Sequence, residues 1–142
     1  MKPVNILLVE DNEGDILLTQ EALEDSKAVV NLMVVRDGHE AIHFIKKSPG
    51  YESVPEPDFV LLDINLPKRN GHEVLDFIKS QVVYKHIPVI MLTTSSAQSD
   101  IQKCYKNYAN CYIIKPLEVS QFMEVVSLVE NFWANKVRLP NR

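Results

Sequence analysis

The chain has 142 residues and a net charge of −4, with 46% of its residues hydrophobic and 24% charged. That length suits one compact domain, residues 1–142 with a core over about 4–135 and a short tail over 136–142, and the composition excludes disorder. The charge balance argues against nonspecific nucleic-acid binding. No apolar run approaches the ~20 residues that cross a bilayer, so neither nucleic acid nor membrane is an expected partner.

The N-terminus passes from Met1-Lys2-Pro3 into a strand-like run with no small-residue cleavage site behind it, which predicts no signal peptide and a cytoplasmic location. That first run, Ile6-Leu7-Leu8-Val9, ends at Glu10-Asp11. Asn12 can cap a helix from about Glu13 to Asp25, with Ile16, Leu17 and Leu23 facing inward. Leu32-Met33-Val34-Val35 reads as a second strand, and Ala41, Ile42 and Ile45 mark a second helix. Residues 48–57 hold three prolines and a glycine and form a long loop. Phe59-Val60-Leu61-Leu62 runs into Asp63, a polar turn covers Leu66 to Gly71, and Val74, Leu75 and Ile78 give a third helix. Val89-Ile90-Met91-Leu92 ends at Thr93-Thr94; Ile101, Cys104, Tyr105 and Tyr108 follow as a helical stripe. Tyr112-Ile113-Ile114 ends at Lys115-Pro116, and Phe122, Val125, Val126 and Val129 mark a fifth helix that runs on through Phe132-Trp133.

Apolar strands alternating with helices predict an α/β fold: a (βα)5 doubly wound, parallel, five-stranded sheet with the flavodoxin-like order 2-1-3-4-5. Ligands in such sheets bind outside the carboxyl ends of the strands. Glu10, Asp11, Asp63, Thr93 and Lys115 therefore converge at one edge. Clustered carboxylates repel unless a cation holds them, and hard oxygen ligands with open positions suit Mg²⁺. Asp11 and Asp63 are the expected direct ligands, with Glu10 acting through water and the Asn65 backbone carbonyl adding an oxygen. A metal facing a lysine and a hydroxyl makes a phosphoryl receptor, with Lys115 and Thr93 on phosphoryl oxygens and Asp63 as the nucleophile. Cys104 and Cys111 do not form CxxC and read as small buried hydrophobes.

The ordered set Val9-Glu10-Asp11-Asn12, Leu62-Asp63-Ile64-Asn65-Leu66-Pro67 with Gly71, Leu92-Thr93-Thr94 and Tyr112-Ile113-Ile114-Lys115-Pro116 resembles a response-regulator receiver domain of two-component signalling. The resemblance covers essentially the whole chain. It implies a phosphoacceptor, Asp63, fed by a histidine kinase, with Mg²⁺ held by Glu10, Asp11 and Asn65. Thr93 becomes the switch hydroxyl, Lys115 the phosphate-contacting lysine, Tyr112 the aromatic that turns inward, and the Lys115-Pro116 bond a cis bond. Glu10 and Thr94 depart from the commonest residues at their positions, and Asn65 and Ser95 fall where self-dephosphorylation is tuned. The loop before the third strand, the turn Asn65-Leu66-Pro67-Lys68 and the ending Phe132-Trp133 through Leu139-Pro140 are similar to small regulators paired with cyanobacterial-type phytochromes.

The implied protein is a signalling phosphoacceptor rather than an enzyme, with self-phosphorylation and self-dephosphorylation in reach. The rival readings are an Mg²⁺-dependent phosphatase with an aspartate nucleophile and a docking receiver that is never phosphorylated. The phosphatase pattern wants a second aspartate two residues after the nucleophile, where Asn65 stands. With few residues after the fifth helix, output is expected through protein contacts: a homodimer through the helix 4–strand 5–helix 5 side, or a patch of Phe132, Trp133 and Val137. His39-Glu40-Ala41-Ile42-His43 matches HExxH, but it lies off the acid edge and His72 and His86 show no ligand spacing, so the expectation is a solvated helix face.

Overall fold

The structure, a computed structural model, describes residues 2–140; Met1 and the last two residues of the expected tail lie outside them. Among the described residues the strands β1 (Val4–Val9), β2 (Val30–Val35), β3 (Phe59–Leu62), β4 (Val89–Thr93) and β5 (Cys111–Ile114) alternate with the helices α1 (Glu13–Glu24), α2 (Gly38–Lys46), α3 (Gly71–Ser80), α4 (Gln98–Lys106) and α5 (Val119–Asn131). All pairings are parallel and the order is β2-β1-β3-β4-β5, as expected. Val9 lies opposite Leu62, so Glu10 and Asp63 leave neighbouring strands side by side.

Two apolar layers hold the sheet. Leu7, Val9, Val60, Leu62, Val89 and Met91 pack with Ile42 and Ile45 of α2, Leu75 and Ile78 of α3, and Cys104 of α4. The alternate residues Ile6, Leu8, Phe59, Leu61, Ile90 and Leu92 pack with Ile16 and Leu23 of α1 and with Phe122 and Val126 of α5. Burial on both faces is why the strands read as unbroken apolar runs. Each side chain this deep contributes about 1.5–3 kcal/mol.

The loops at the carboxyl edge are fixed by caps and by two close approaches. Asn12 Oδ1 accepts the Asp15 N–H at 2.9 Å, Asp37 Oδ1 accepts the Glu40 N–H at 2.6 Å, and Asn70 with Glu73 forms a capping box. Caps of this kind contribute about 1 kcal/mol each. A Cβ on Gly71 would lie 2.1 Å from the Asp63 carbonyl, and one on Gly38 would lie 1.9 Å from the Arg69 carbonyl. The missing side chains let α3 start directly against Asp63 and let α2 start against the β3–α3 loop.

Several expectations are corrected. Leu17 is 55% exposed; the inward face of α1 is Ile16, Thr19, Ala22 and Leu23. Thr19 occupies that face because its hydroxyl donates to the Asp15 carbonyl at 2.7 Å, which leaves no unpaired polar group inside. On α4 only Cys104 is buried, and Tyr105 and Tyr108 are exposed. The helix ends at Lys106 and the chain turns through Tyr108 at φ 67° to enter β5, which carries the last tyrosine off the stripe. β2 begins at Val30 because pairing with Val4 extends it. Cys111 is only half-buried, since β5 is an edge strand.

The Lys115–Pro116 bond is trans, there being no cis peptide among the described residues. Lys115 is instead positioned by its own N–H, which donates to the Thr93 carbonyl at 2.7 Å. Beyond α5 the chain adds a π-helical turn, Phe132–Lys136. It divides the expected patch: Trp133 is half-buried with its ring 6.3 Å from Phe59, while Phe132 stays 53% exposed.

Candidate functional site

The carboxyl edge of β1, β3, β4 and β5 gathers the predicted residues. Asp63 follows β3 directly and is buried. Its Oδ1 accepts the N–H groups of Ile64 at 2.7 Å and Asn65 at 3.4 Å, while its Oδ2 takes a bond from Lys115 Nζ at 3.0 Å. Glu10, only 3% exposed, lies beside it, and Asp11 stands exposed at the rim. Carboxylate oxygens of Glu10, Asp11 and Asp63 all fall within 4.8 Å of one another, a donor set suited to a hard divalent ion.

Lys115 crosses from β5 into this cluster. Its Nζ lies 2.5 Å from Glu10 Oε1, 2.9 Å from Asp15 Oδ2 and 3.0 Å from Asp63 Oδ2. Burial pushes the Glu10 carboxyl up to about 7, helped by the Asp63 charge and held back by the bond to Lys115. Burial works against the Lys115 charge, but the bond to Glu10 and the charges of Asp63 and Glu10 outweigh it and hold the ammonium above the ordinary lysine range. One cation thus balances three carboxylates, two of them buried.

Thr93 ends β4, is fully buried, and its hydroxyl has no hydrogen-bond partner among the described residues. A buried hydroxyl left unpaired costs about 1–3 kcal/mol. Thr93→Val is therefore expected to stabilise the fold by about 1 kcal/mol, read as a higher denaturant midpoint at unchanged slope. A lower midpoint would show that the hydroxyl is satisfied in solution.

Tyr112 is half-buried on β5. Its hydroxyl donates to the Ser95 carbonyl at 2.8 Å, tying β5 to the loop after Thr93. Ser95 Oγ in turn donates to Asp100 Oδ2 at 2.6 Å, and Asp100 Oδ1 meets His72 Nε2 at 2.8 Å. The Ser95 and His72 bonds hold the Asp100 carboxyl below its ordinary range. Cys104 Sγ lies 3.6 Å from His72 Nδ1, a cysteine–histidine–aspartate order that superficially suits a nucleophile. Cys104 is fully buried and burial pushes its thiol up to about 11, so no thiolate is presented.

Sequence reasoning brought Glu10, Asp11, Asp63, Thr93 and Lys115 to this edge and missed Asp15. The available signal was the Asn12 cap, which sets Asp15 in the first turn of a helix starting at the same edge. It also missed the His72–Asp100–Ser95 chain, whose members lie on three separate segments.

Residues 6–127 match the response regulator receiver domain family. The chain belongs to that family. This receiver is 41% identical to response regulator Rcp1 of Synechocystis sp. over 138 residues, which is 97% of this chain and 94% of Rcp1. It is similar to the phosphorylated cyanobacterial phytochrome response regulator RcpA at a TM-score of 0.96 and 43% identity, covering 99% of this chain and 100% of that one. It is also similar to the Mn²⁺-bound form of response regulator Rcp1, at a TM-score of 0.95 and 41% identity over 98% and 100% of the two chains.

Proposed function

We propose that the chain is a phosphoacceptor: Asp63 takes a phosphoryl group from the phosphohistidine of a histidine kinase, in a pathway of the phytochrome type. The observation that carries the reading is the buried Asp63 carboxylate, held between the Lys115 ammonium at 3.0 Å and the Glu10–Asp11 acid pair, with an unpaired Thr93 hydroxyl ending the neighbouring strand. The likeness to a phosphorylated phytochrome response regulator supports both the modification and the pathway. The whole chain acts as one receiver unit.

In the transfer an Asp63 carboxylate oxygen bonds to phosphorus, the phosphorus–nitrogen bond breaks with its electron pair passing to that nitrogen, and the donor imidazole, already protonated on its other ring nitrogen, leaves neutral. Glu10, Asp11, Asp63 and the Asn65 carbonyl would hold Mg²⁺, which supplies charge neutralisation between donor and acceptor oxygens when bound. Lys115 turns from the carboxylates to a phosphoryl oxygen, and the Thr93 hydroxyl donates to another. Moving Thr93 pulls on the loop that Tyr112 holds through Ser95, which reshapes the α4–β5–α5 side.

Incubation with Mg²⁺ and acetyl phosphate is expected to add the mass of one phosphoryl group to the intact chain, and chelation of the metal to abolish the addition. No added mass in the presence of Mg²⁺ would sink the proposal.

Output runs through protein contacts. Tyr105, Ile114, Leu117 and Val119 leave apolar surface exposed along α4, β5 and the start of α5, and Phe132 extends it beyond the end of α5. A homodimer through this side, or through the C-terminal aromatic patch, follows from that surface. Sedimentation at tens of micromolar (~) is expected to show a dimer, at least with beryllofluoride bound, and monomer in both states would remove the homodimer.

A further inference from the structure

The HExxH spacing on α2 is not absorbed by the phosphoacceptor site. His39 and His43 stand one helical turn apart with their Nε2 atoms 3.0 Å from each other and their rings edge to face. His39 is exposed and His43 half-buried, and both line a concavity of ≈ 540 Å³ with Asp37, Glu40 and Tyr51 on its walls. The helix that carries them is fixed at its start by the Asp37 cap and by the close packing of Gly38 on Arg69. Two nitrogen donors thus share one rigid face and one opening.

We propose that His39 and His43 form a two-imidazole site for a borderline divalent transition-metal ion of the Cu²⁺, Ni²⁺ and Zn²⁺ class, with water completing the shell. Imidazole nitrogen suits these ions, whereas Mg²⁺ prefers oxygen. Metal–nitrogen bonds run about 2.0–2.1 Å, so two nitrogens 3.0 Å apart meet at an ion near a right angle, the cis angle of tetragonal Cu²⁺ and Ni²⁺. The hydrogen bond between the rings is exchanged for two bonds to the metal. Among the described residues the only group of three or more acidic, histidine or cysteine side chains placed to share an ion is Glu10, Asp11 and Asp63. The α2 site therefore lacks the third protein ligand of a hydrolytic zinc centre, and no hydrolysis is assigned to it. It is an exchangeable ion site, chemically distinct from the oxygen cluster at the sheet edge.

The test titrates the full chain with Ni²⁺, Cu²⁺ and Zn²⁺ separately, in excess Mg²⁺ to occupy the acid cluster. One equivalent is expected to bind, tightest for Cu²⁺, and His39→Gln or His43→Gln is expected to weaken binding roughly tenfold or more. Unchanged affinity in both variants, or loss of all binding in excess Mg²⁺, would overturn the site. A second readout needs no variant: Ni²⁺ is expected to broaden the amide signals of α2 and of Ser48 to Tyr51. Broadening confined to Asp11 and Ile64 would put the ion in the acid cluster and overturn the assignment.

Discussion

Asp63→Ala protein incubated with Mg²⁺ and acetyl phosphate is expected to gain no phosphoryl group under conditions where the native chain gains one. The effect is expected to be complete because, among the described residues, no other carboxylate accepts two backbone N–H groups on one oxygen while the other faces the ammonium. Glu10 is buried but bonded to Lys115 at 2.5 Å, Asp15 projects from α1, and Asp11 stands at the exposed rim. Asp63 Oδ1 accepts two backbone N–H groups, from Ile64 and Asn65, while Oδ2 faces the ammonium; Glu10 also faces Lys115 but accepts a single backbone N–H, from Asn12 at 3.2 Å. Loss of signal through unfolding is separable. Asp63→Asn keeps an oxygen to accept the Ile64 N–H, and Lys115 retains Glu10 and Asp15 as partners in either variant. Both variants should therefore unfold cooperatively near the native midpoint while remaining unmodified. An added phosphoryl mass on Asp63→Ala would place the acceptor elsewhere and end the proposal.

The sheet was legible in the sequence because its strands are covered on both faces. Phe59-Val60-Leu61-Leu62 is buried throughout, so the run itself marks the strand and its last residue marks the site edge. Parallel pairing then does the assembly: once every strand points the same way, residues far apart in the chain leave the sheet at one end. That is why Asp11, Asp63, Thr93 and Lys115, separated by 52, 30 and 22 residues, could be grouped before any contact was known. Helix rotation was less legible. Counting apolar residues put Leu17 inside α1, yet Thr19 sits there because a hydroxyl bonded to its own helix is as acceptable in a core as a methyl group. The α4 stripe failed at Tyr108 because the helix stops before it, and a stripe holds only while the helix does; Tyr105, inside the helix, is exposed as well.

The contacts that tune the site were hidden for a related cause. Asp15 reaches Lys115, and Asp100 reaches His72, through the relative placement of whole elements, whereas the Ser95–Asp100 bond spans only five residues at the start of α4. Nothing in the local pattern of α1, α3 or α4 specifies that placement. The His39–His43 approach was foreseeable, since residues four apart on a helix share a face. Its bearing changes only with the structure, which sets both nitrogens at one opening.

Lys115→Met is expected to lower the unfolding free energy by about 3–5 kcal/mol in the absence of divalent ions. The side chains of Glu10 and Asp63 are 3% and 8% exposed, and each has its only ion pair with Lys115 among the described residues. A methionine fills the space of the stem and leaves those two buried carboxylates with no cation. Mg²⁺ should then restore a large part of the loss, because an ion held by Glu10, Asp11 and Asp63 binds the folded chain alone; at a hundred times its dissociation constant it contributes about 2.7 kcal/mol. The native chain gains less from the same Mg²⁺, since its ammonium already occupies two of the carboxylates the ion needs. Denaturant titrations of both proteins with Mg²⁺ and with chelator therefore give four midpoints, and the difference between the two Mg²⁺ effects measures the competition of Lys115 with the metal. Equal midpoints in chelator would mean that the ammonium does not neutralise the cluster in solution. An equal Mg²⁺ effect on both proteins would mean that lysine and metal occupy the pocket without excluding each other.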